Sequence, residues 1–262
     1  MSAAEGSVVH AYGLVADLPS LSLPEGLDGA PVSLLRLGEV SVLVSELSAK
    51  DYGPEVWRAH AEDPKWLEHV ARQHHAVLQA MVEQTDVLPL RLPGIHPDIA
   101  RLEDVLRDQE ATLARALDTV RGHVELGAKV FLVDEGSTPG TEQRPTSGRD
   151  YLARRSAEAT NREEARLRRQ NLVLDAHESM AHASTHAVAN PPQDSALSGR
   201  TEPMLLNAAY LVPRARLDDF VALAEQIHEG LAAAGMTLEV SGPWPPYNFA
   251  ATPDDMKVGH DG

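Results

Sequence analysis

A chain of 262 residues, 43% hydrophobic and 24% charged, has the composition of a folded globular protein, and its length suits two domains better than one. Thirty-nine acidic residues against 23 basic ones leave a formal charge of −16, which repels a phosphate backbone or an anionic lipid surface and argues against nucleic-acid and membrane partners. The lack of cysteine removes disulfides, thiolate metal sites and a cysteine nucleophile, and fits a reducing, cytoplasmic compartment.

The opening Met1-Ser2-Ala3-Ala4-Glu5 has neither the basic start nor the apolar centre of a secretory signal, and no apolar run is long enough to cross a bilayer. Val8 to Ala16 reads as a strand, rich in residues that suit a pleated, buried surface. After a loop carrying Pro24, Gly26, Gly29 and Pro31, the runs Val32–Leu37 and Val40–Val44 flank Gly38-Glu39 and predict a hairpin. From Pro64 the period becomes helical, with Leu67, Val70, His74, Val77 and Met81 on one face and Asp63 as the cap. Val87 to Leu92 is a short strand whose Pro89 predicts an edge position. A second helix is expected from Pro97 to Val120.

The second half repeats this style. His123 to Val133 is a candidate strand, Asp134 to Gly148 a polar loop, and a long helix starts near Arg149. A strand near Thr185 to Ala189, a loop from Asn190 to Pro203 and a strand from Met204 to Val212 follow. Leu217, Phe220, Ala224, Ile227, Leu231 and Ala234 form one helical face stopped by Gly235, and Met236 to Ser241 makes the last strand. The reading is an α+β chain of two domains: an N-terminal α+β domain over 1–120 and a C-terminal domain over 121–250. The β-α-β-β-α-β order of the second is that of a modified ferredoxin-like sandwich with a long projecting helix. Residues 251–262 are expected to be a disordered tail.

Twelve histidines raise the possibility of a metal, but the imidazoles in His177-Glu178-Ser179-Met180-Ala181-His182 are five residues apart. A zincin helix needs them four apart to share a face. His182 and His186 have that spacing, with no acidic partner at the motif position. No phosphate-binding glycine loop, nucleophile elbow or dinucleotide fingerprint is present, so no metal, cofactor or catalytic residue is assigned. A metal-dependent enzyme on a ferredoxin-like scaffold, using His177 or His182, is the alternative from another class, and an RNA binder on such a sheet a more distant one.

Two stretches stand out as candidate contact surfaces. Arg149 to Arg169 holds seven arginines against four carboxylates, a basic island with a thin apolar stripe. Its i, i+4 pairs support a solvated helix, and part of it is expected to project as a partner-binding arm or half of a small coiled coil. Gly242-Pro243-Trp244-Pro245-Pro246-Tyr247-Asn248-Phe249 gathers three of the chain's 11 aromatic residues on a backbone stiffened by prolines. It is expected to fold back and seal one end of its own sheet.

Four segments in order carry a resemblance to a known family. They are Val87-Leu88-Pro89-Leu90-Arg91, Gly148-Arg149-Asp150-Tyr151-Leu152, Leu206-Asn207-Ala208-Ala209-Tyr210-Leu211-Val212 and the Gly242 to Phe249 stretch. With them the chain resembles the gas vesicle protein GvpF/GvpL family along nearly its whole length. It departs in having Leu92-Pro93-Gly94 where members usually follow the arginine with an aromatic residue and a glycine. The resemblance implies a non-enzymatic minor component or assembly factor of gas vesicles, located in the cytoplasm or on the vesicle. Its partners would be the hydrophobic shell subunit GvpA, held from aggregating while vesicles nucleate, and other accessory gas vesicle proteins. Capture is expected through an exposed strand edge and an apolar groove near the interdomain surface. The candidate partner-binding residues are Arg91, Arg149, Arg162, Arg166, Trp244, Pro245, Pro246 and Tyr247.

Overall fold

The computed structural model describes residues 6–16, 20–38, 40–133, 148–193 and 199–250. Most of the expected polar loop over 134–148, and the expected tail over 251–262, lie outside the described residues. The chain divides into two compact units, one reaching Glu125 and resuming at Pro243, the other running from Leu126 to Gly242.

The first unit is built on β1 (Ser7–Ala16), β2 (Ser33–Leu37) and β3 (Val40–Ser48). Two short helices, α1 (Ala49–Tyr52) and α2 (Pro54–His60), lead to α3 (Pro64–Val82). Then come β4 (Val87–Pro89), β5 (Ile95–His96), α4 (Ile99–Asp108) and α5 (Glu110–Val120). The strand order is β2-β3-β1-β4, with β5 also paired to β1. Being central, β1 is buried from Val8 through Val15, which its nearly unbroken apolar run requires. Gly13 has to be a glycine: a Cβ there would meet Leu78 Cδ2 at 2.7 Å and the Leu88 carbonyl at 2.8 Å. The β2–β3 hairpin turns at Gly38, whose φ of 62° suits a residue without a side chain.

Helix α3 turns Val70, His74, Val77, Leu78, Met81 and Val82 into the core. Its cap is as anticipated: Asp63 Oδ1 accepts hydrogen bonds from the Lys65 N–H at 3.0 Å and the Trp66 N–H at 3.4 Å. Replacing Asp63 with Ala is expected to cost about 1 kcal/mol of stability, read as a shift in denaturation midpoint.

Three features differ from the sequence reading. The helix expected from Pro97 to Val120 is broken at Gln109, whose φ of −110° and ψ of 6° leave the helical region. Both apolar stripes are buried, Leu102 and Leu106 on α4 and Leu113, Ala116, Leu117 and Val120 on α5. By spacing the two stripes share one face, so what the break changes is the direction of the axis, with α4 near β5 and α5 near β4. Helices α1 and α2 were not anticipated, being too short to show a period. The strand expected to reach Leu92 stops at Pro89, although the Leu90 N–H still donates to the Tyr12 carbonyl at 3.0 Å.

The second unit contains most of β6 (His123–Leu132), then α6 (Gly148–Ala183), β7 (His186–Ala189), β8 (Met204–Pro213), α7 (Leu217–Ala232) and β9 (Met236–Trp244) up to Gly242. Its strand order is β7-β8-β6-β9. One core joins the inward side chains of β6 and β8, such as Leu126, Val130, Ala208 and Tyr210, to Phe220, Ala224 and Leu231 of α7 and to Val173, Ala176 and Met180 of α6. Helix α6 has 36 residues, roughly 54 Å of helix at about 1.5 Å per residue. Only its last third joins that core: every residue from Arg154 to Glu164 is exposed.

Candidate functional site

The proline- and aromatic-rich segment from Pro243 to Ala250 belongs to the first unit and lies against α3. It folds back, as the sequence had suggested, onto α3 and also onto Glu125 at the start of β6, the strand beside its own β9. Gln79 Nε2 donates to the Pro243 carbonyl at 2.8 Å. His75 shares a hydrogen bond with the Tyr247 hydroxyl at 3.3 Å, and its ring centre stands 5.5 Å from that of Trp244 and 5.9 Å from that of Tyr247. His74 points the other way, into the core, where His10 Nε2 meets its Nδ1 at 3.0 Å. Adjacent positions on a helix face different directions, so the two histidines serve separate surroundings.

Pro245 and Pro246 are buried, and the chain turns tightly after them through bonds from the Tyr247 N–H to the Pro245 carbonyl and from the Ala250 N–H to the Pro246 carbonyl, both 2.8 Å. The turn delivers Asn248 to Glu125, a strand carboxylate only 5% exposed. Glu125 accepts from the Asn248 backbone N–H at 2.8 Å and from Asn248 Nδ2 at 2.6 Å. Burial pushes the Glu125 carboxyl above its usual range, and the two Asn248 bonds pull against that rise. The Tyr247 hydroxyl is also pushed up, by burial and then by the Glu125 charge.

The structure thus brings Trp244 and Tyr247 against His75 of α3, with the buried Pro245 and Pro246 between them in the chain. Arg91 is exposed just beyond β4 on the same unit. Arg149, Arg162 and Arg166 lie on α6 in the other unit. There Arg154 pairs with Glu158 at 3.0 Å, Arg162 with Glu158 at 3.8 Å and Arg166 with Glu163 at 2.6 Å, all exposed. Exposed pairs like these contribute little to stability, so they leave the helix as a charged, solvated face.

Two further features of the second unit bear on partner binding. Where α6 meets the sheet, a groove of about 540 Å³ is lined by Leu132, Val173, Leu174 and Leu205, with Arg166 and Arg169 beside them. At the sheet edge, β7 pairs with β8 alone among the described strands. The histidines proposed for the metal-enzyme alternative are otherwise engaged: His177 Nδ1 meets the Tyr210 hydroxyl at 2.7 Å, and His182 Nδ1 donates to the Glu178 carbonyl at 2.7 Å. His186 lies past the helix end, on β7. Among the described residues no group of three histidine or carboxylate side chains is placed to hold a metal ion, and no helix is long and apolar enough to cross a membrane.

Sequence reasoning had singled out the aromatic segment and the basic helix but missed the Glu125 anchor. A glutamate between Val124 and Leu126 in a strand is the only signal it gives, and its partner is 123 residues away.

The fold defines a mixed α+β protein. The sequence model described as gas vesicle synthesis protein GvpL/GvpF matches residues 8–251. Gas vesicle protein L of Streptomyces sp. (strain CB03234) is 35% identical over 241 residues, covering 89% of each chain. Gas vesicle protein F of Haloferax mediterranei is 27% identical over 202 residues, 76% of each chain. The crystal structure of the gas vesicle protein GvpF from Anabaena sp. PCC7120 shares the fold, with a TM-score of 0.64 at 19% identity over 93% of this chain and 96% of that one. The chain belongs to the gas vesicle synthesis protein GvpL/GvpF family.

Proposed function

We propose that this protein is an assembly factor or minor component of gas vesicles that binds the hydrophobic shell subunit GvpA and limits its aggregation while vesicles nucleate. It acts by contact and not by catalysis, in the cytoplasm and at the vesicle, alongside other accessory gas vesicle proteins. The observation that carries this reading is membership of the family across residues 8–251. The second unit is read as a modified ferredoxin-like sandwich, on its β-α-β-β-α-β order and its β7-β8-β6-β9 sheet. Residues 1–120 and 121–250 remain the proposed domains in sequence terms, with the segment after Gly242 returning to the first compact unit.

The surfaces suit the task. The outer edge of β7 presents His186-Ala187-Val188-Ala189, without the lysine or proline that guards many exposed edges, and can take an added strand. The groove beside α6 offers apolar side chains that a hydrophobic subunit would cover. A formal charge of −16 keeps such a complex from self-association. Arg91, Arg149, Arg162 and Arg166 are proposed contacts for GvpA or accessory proteins, and Trp244, Pro245, Pro246 and Tyr247 support the first unit's surface.

Light scattering of GvpA released from denaturant, with and without the purified chain, tests this. Suppression at near-stoichiometric ratio is expected, together with co-purification of the two. Charge reversal at Arg162 and Arg166, or a folded Trp244→Ala, Tyr247→Ala double variant, should weaken co-purification several-fold if those residues make contact. GvpA that aggregates at an unchanged rate and never co-purifies would overturn the reading.

A further inference from the structure

The groove beside α6 has a chemistry of its own. Arg166, Arg169, Gln170, Val173 and Leu174 follow the i, i+3, i+4, i+7, i+8 spacing of one helix face, so they form one wall together. Leu132 at the end of β6 and Leu205 near the start of β8 form the other. Leu174 is 59% exposed and Leu205 is 37% exposed, and both line the same groove, so their apolar surface is presented together.

The two arginines are unlike each other. Arg166 is exposed and held by Glu163. Arg169 is half-buried in the groove wall and has no ion-pair or hydrogen-bond partner among the described residues. A guanidinium carries five donors in a planar fork that matches a carboxylate. Set beside leucines without such a partner, it is left to water, and a ligand carboxylate can take its place. The overall charge sharpens the choice. A chain at −16 repels acidic partners nearly everywhere, and this basic island is where an acidic partner is attracted instead.

We propose that this groove docks an amphipathic helix of a partner protein, its apolar stripe against Leu132, Val173, Leu174 and Leu205 and a flanking carboxylate on Arg169. Arg166 is the second cation, and it exchanges Glu163 for the incoming carboxylate. The proposal rests on the groove being a docking surface, as in the functional reading, but not on GvpA being its occupant. A failure of GvpA to bind and a failure of this proposal are therefore separate results.

The test uses the full chain and a dye-labelled, capped 14-residue helical peptide of leucine, alanine and glutamate, its leucines spaced three and four apart and its glutamates flanking them. A second peptide carries glutamine in place of each glutamate. Fluorescence anisotropy should show saturable binding of the glutamate peptide, with at least fivefold weaker binding of the glutamine peptide. Arg169→Gln should bring the two affinities to within twofold of each other, and Leu174→Gln should weaken both. Arg155→Gln, on the same helix outside the groove, should change neither. Circular dichroism confirms that each variant retains its helix content. Equal affinity for the two peptides, an undiminished preference in Arg169→Gln, or no saturable binding of either peptide would overturn the proposal.

Discussion

Taking the protein from pH 7.5 to pH 5.5 is expected to lower its unfolding free energy by about 2 kcal/mol, through the buried pair His10 and His74. His10 is fully buried on β1 and His74 is 3% exposed on α3. They are joined at 3.0 Å, and His74 Nε2 meets the Leu90 carbonyl at 3.2 Å. Burial is the main reason that both are held neutral. It drives His10 well below its ordinary value, assisted by the His74 charge, and brings His74 down to about 4. His96 and His75 are also lowered by burial, and no carboxylate contributes to the shift of any of the four.

The sign follows from which state binds protons. The unfolded chain protonates these imidazoles near pH 6.5, whereas the folded chain resists until close to pH 4 for His74. Stability is therefore complete above about 6.5 and is lost as the pH falls toward the folded value. At pH 5.5 a single histidine with a folded pKa of about 4 accounts for about 1.4 kcal/mol, and His10, driven down by burial and by the His74 charge, adds to that in the same direction. Denaturant midpoints at the two pH values measure the difference. A midpoint unchanged between them would mean that the fold carries a charged imidazole at this site.

Those two histidines also show what a sequence can convey. His74 falls on the apolar face of α3 by its spacing, so its burial was legible, but its partner is 64 residues away on β1 and nothing local marks the pair. Strands β1, β3 and β8 and helices α3 and α7 were legible for a related reason: long, strongly patterned segments carry their own period. Helices α1 and α2, seen only once folded, have four and seven residues, too few for a face to repeat. Gln109 breaks what looks like a continuous stripe because α4 must pack near β5 and α5 near β4, a tertiary demand without a local signal. At the candidate surfaces, the composition of Trp244 to Tyr247 and of α6 was conspicuous. Their settings were not, since the groove takes Leu132, Val173 and Leu205 from three distant elements.

Substituting Asn248 with Asp is expected to release the segment from Pro243 to Phe249 and to cost about 3 kcal/mol at neutral pH, against about 2 kcal/mol for Asn248→Ala. Both substitutions strip a donor from a carboxylate that is 5% exposed, but aspartate adds a second anion where Nδ2 now donates at 2.6 Å. Two carboxylates at hydrogen-bonding distance cannot both stay ionised cheaply, and Glu125, already raised by burial, is the one poised to take a proton. The pH dependence separates the two variants. Relative to the native chain, the aspartate variant should recover most of its deficit as the pH falls and the pair comes to share a proton, while the alanine variant recovers much less. Limited proteolysis at Trp244 and Tyr247 reads the release directly: at neutral pH cleavage should be fastest in the aspartate variant, slower in the alanine variant and slowest in the native chain. Equal cleavage rates in all three would show that the buried prolines and Phe249 hold the segment without Glu125.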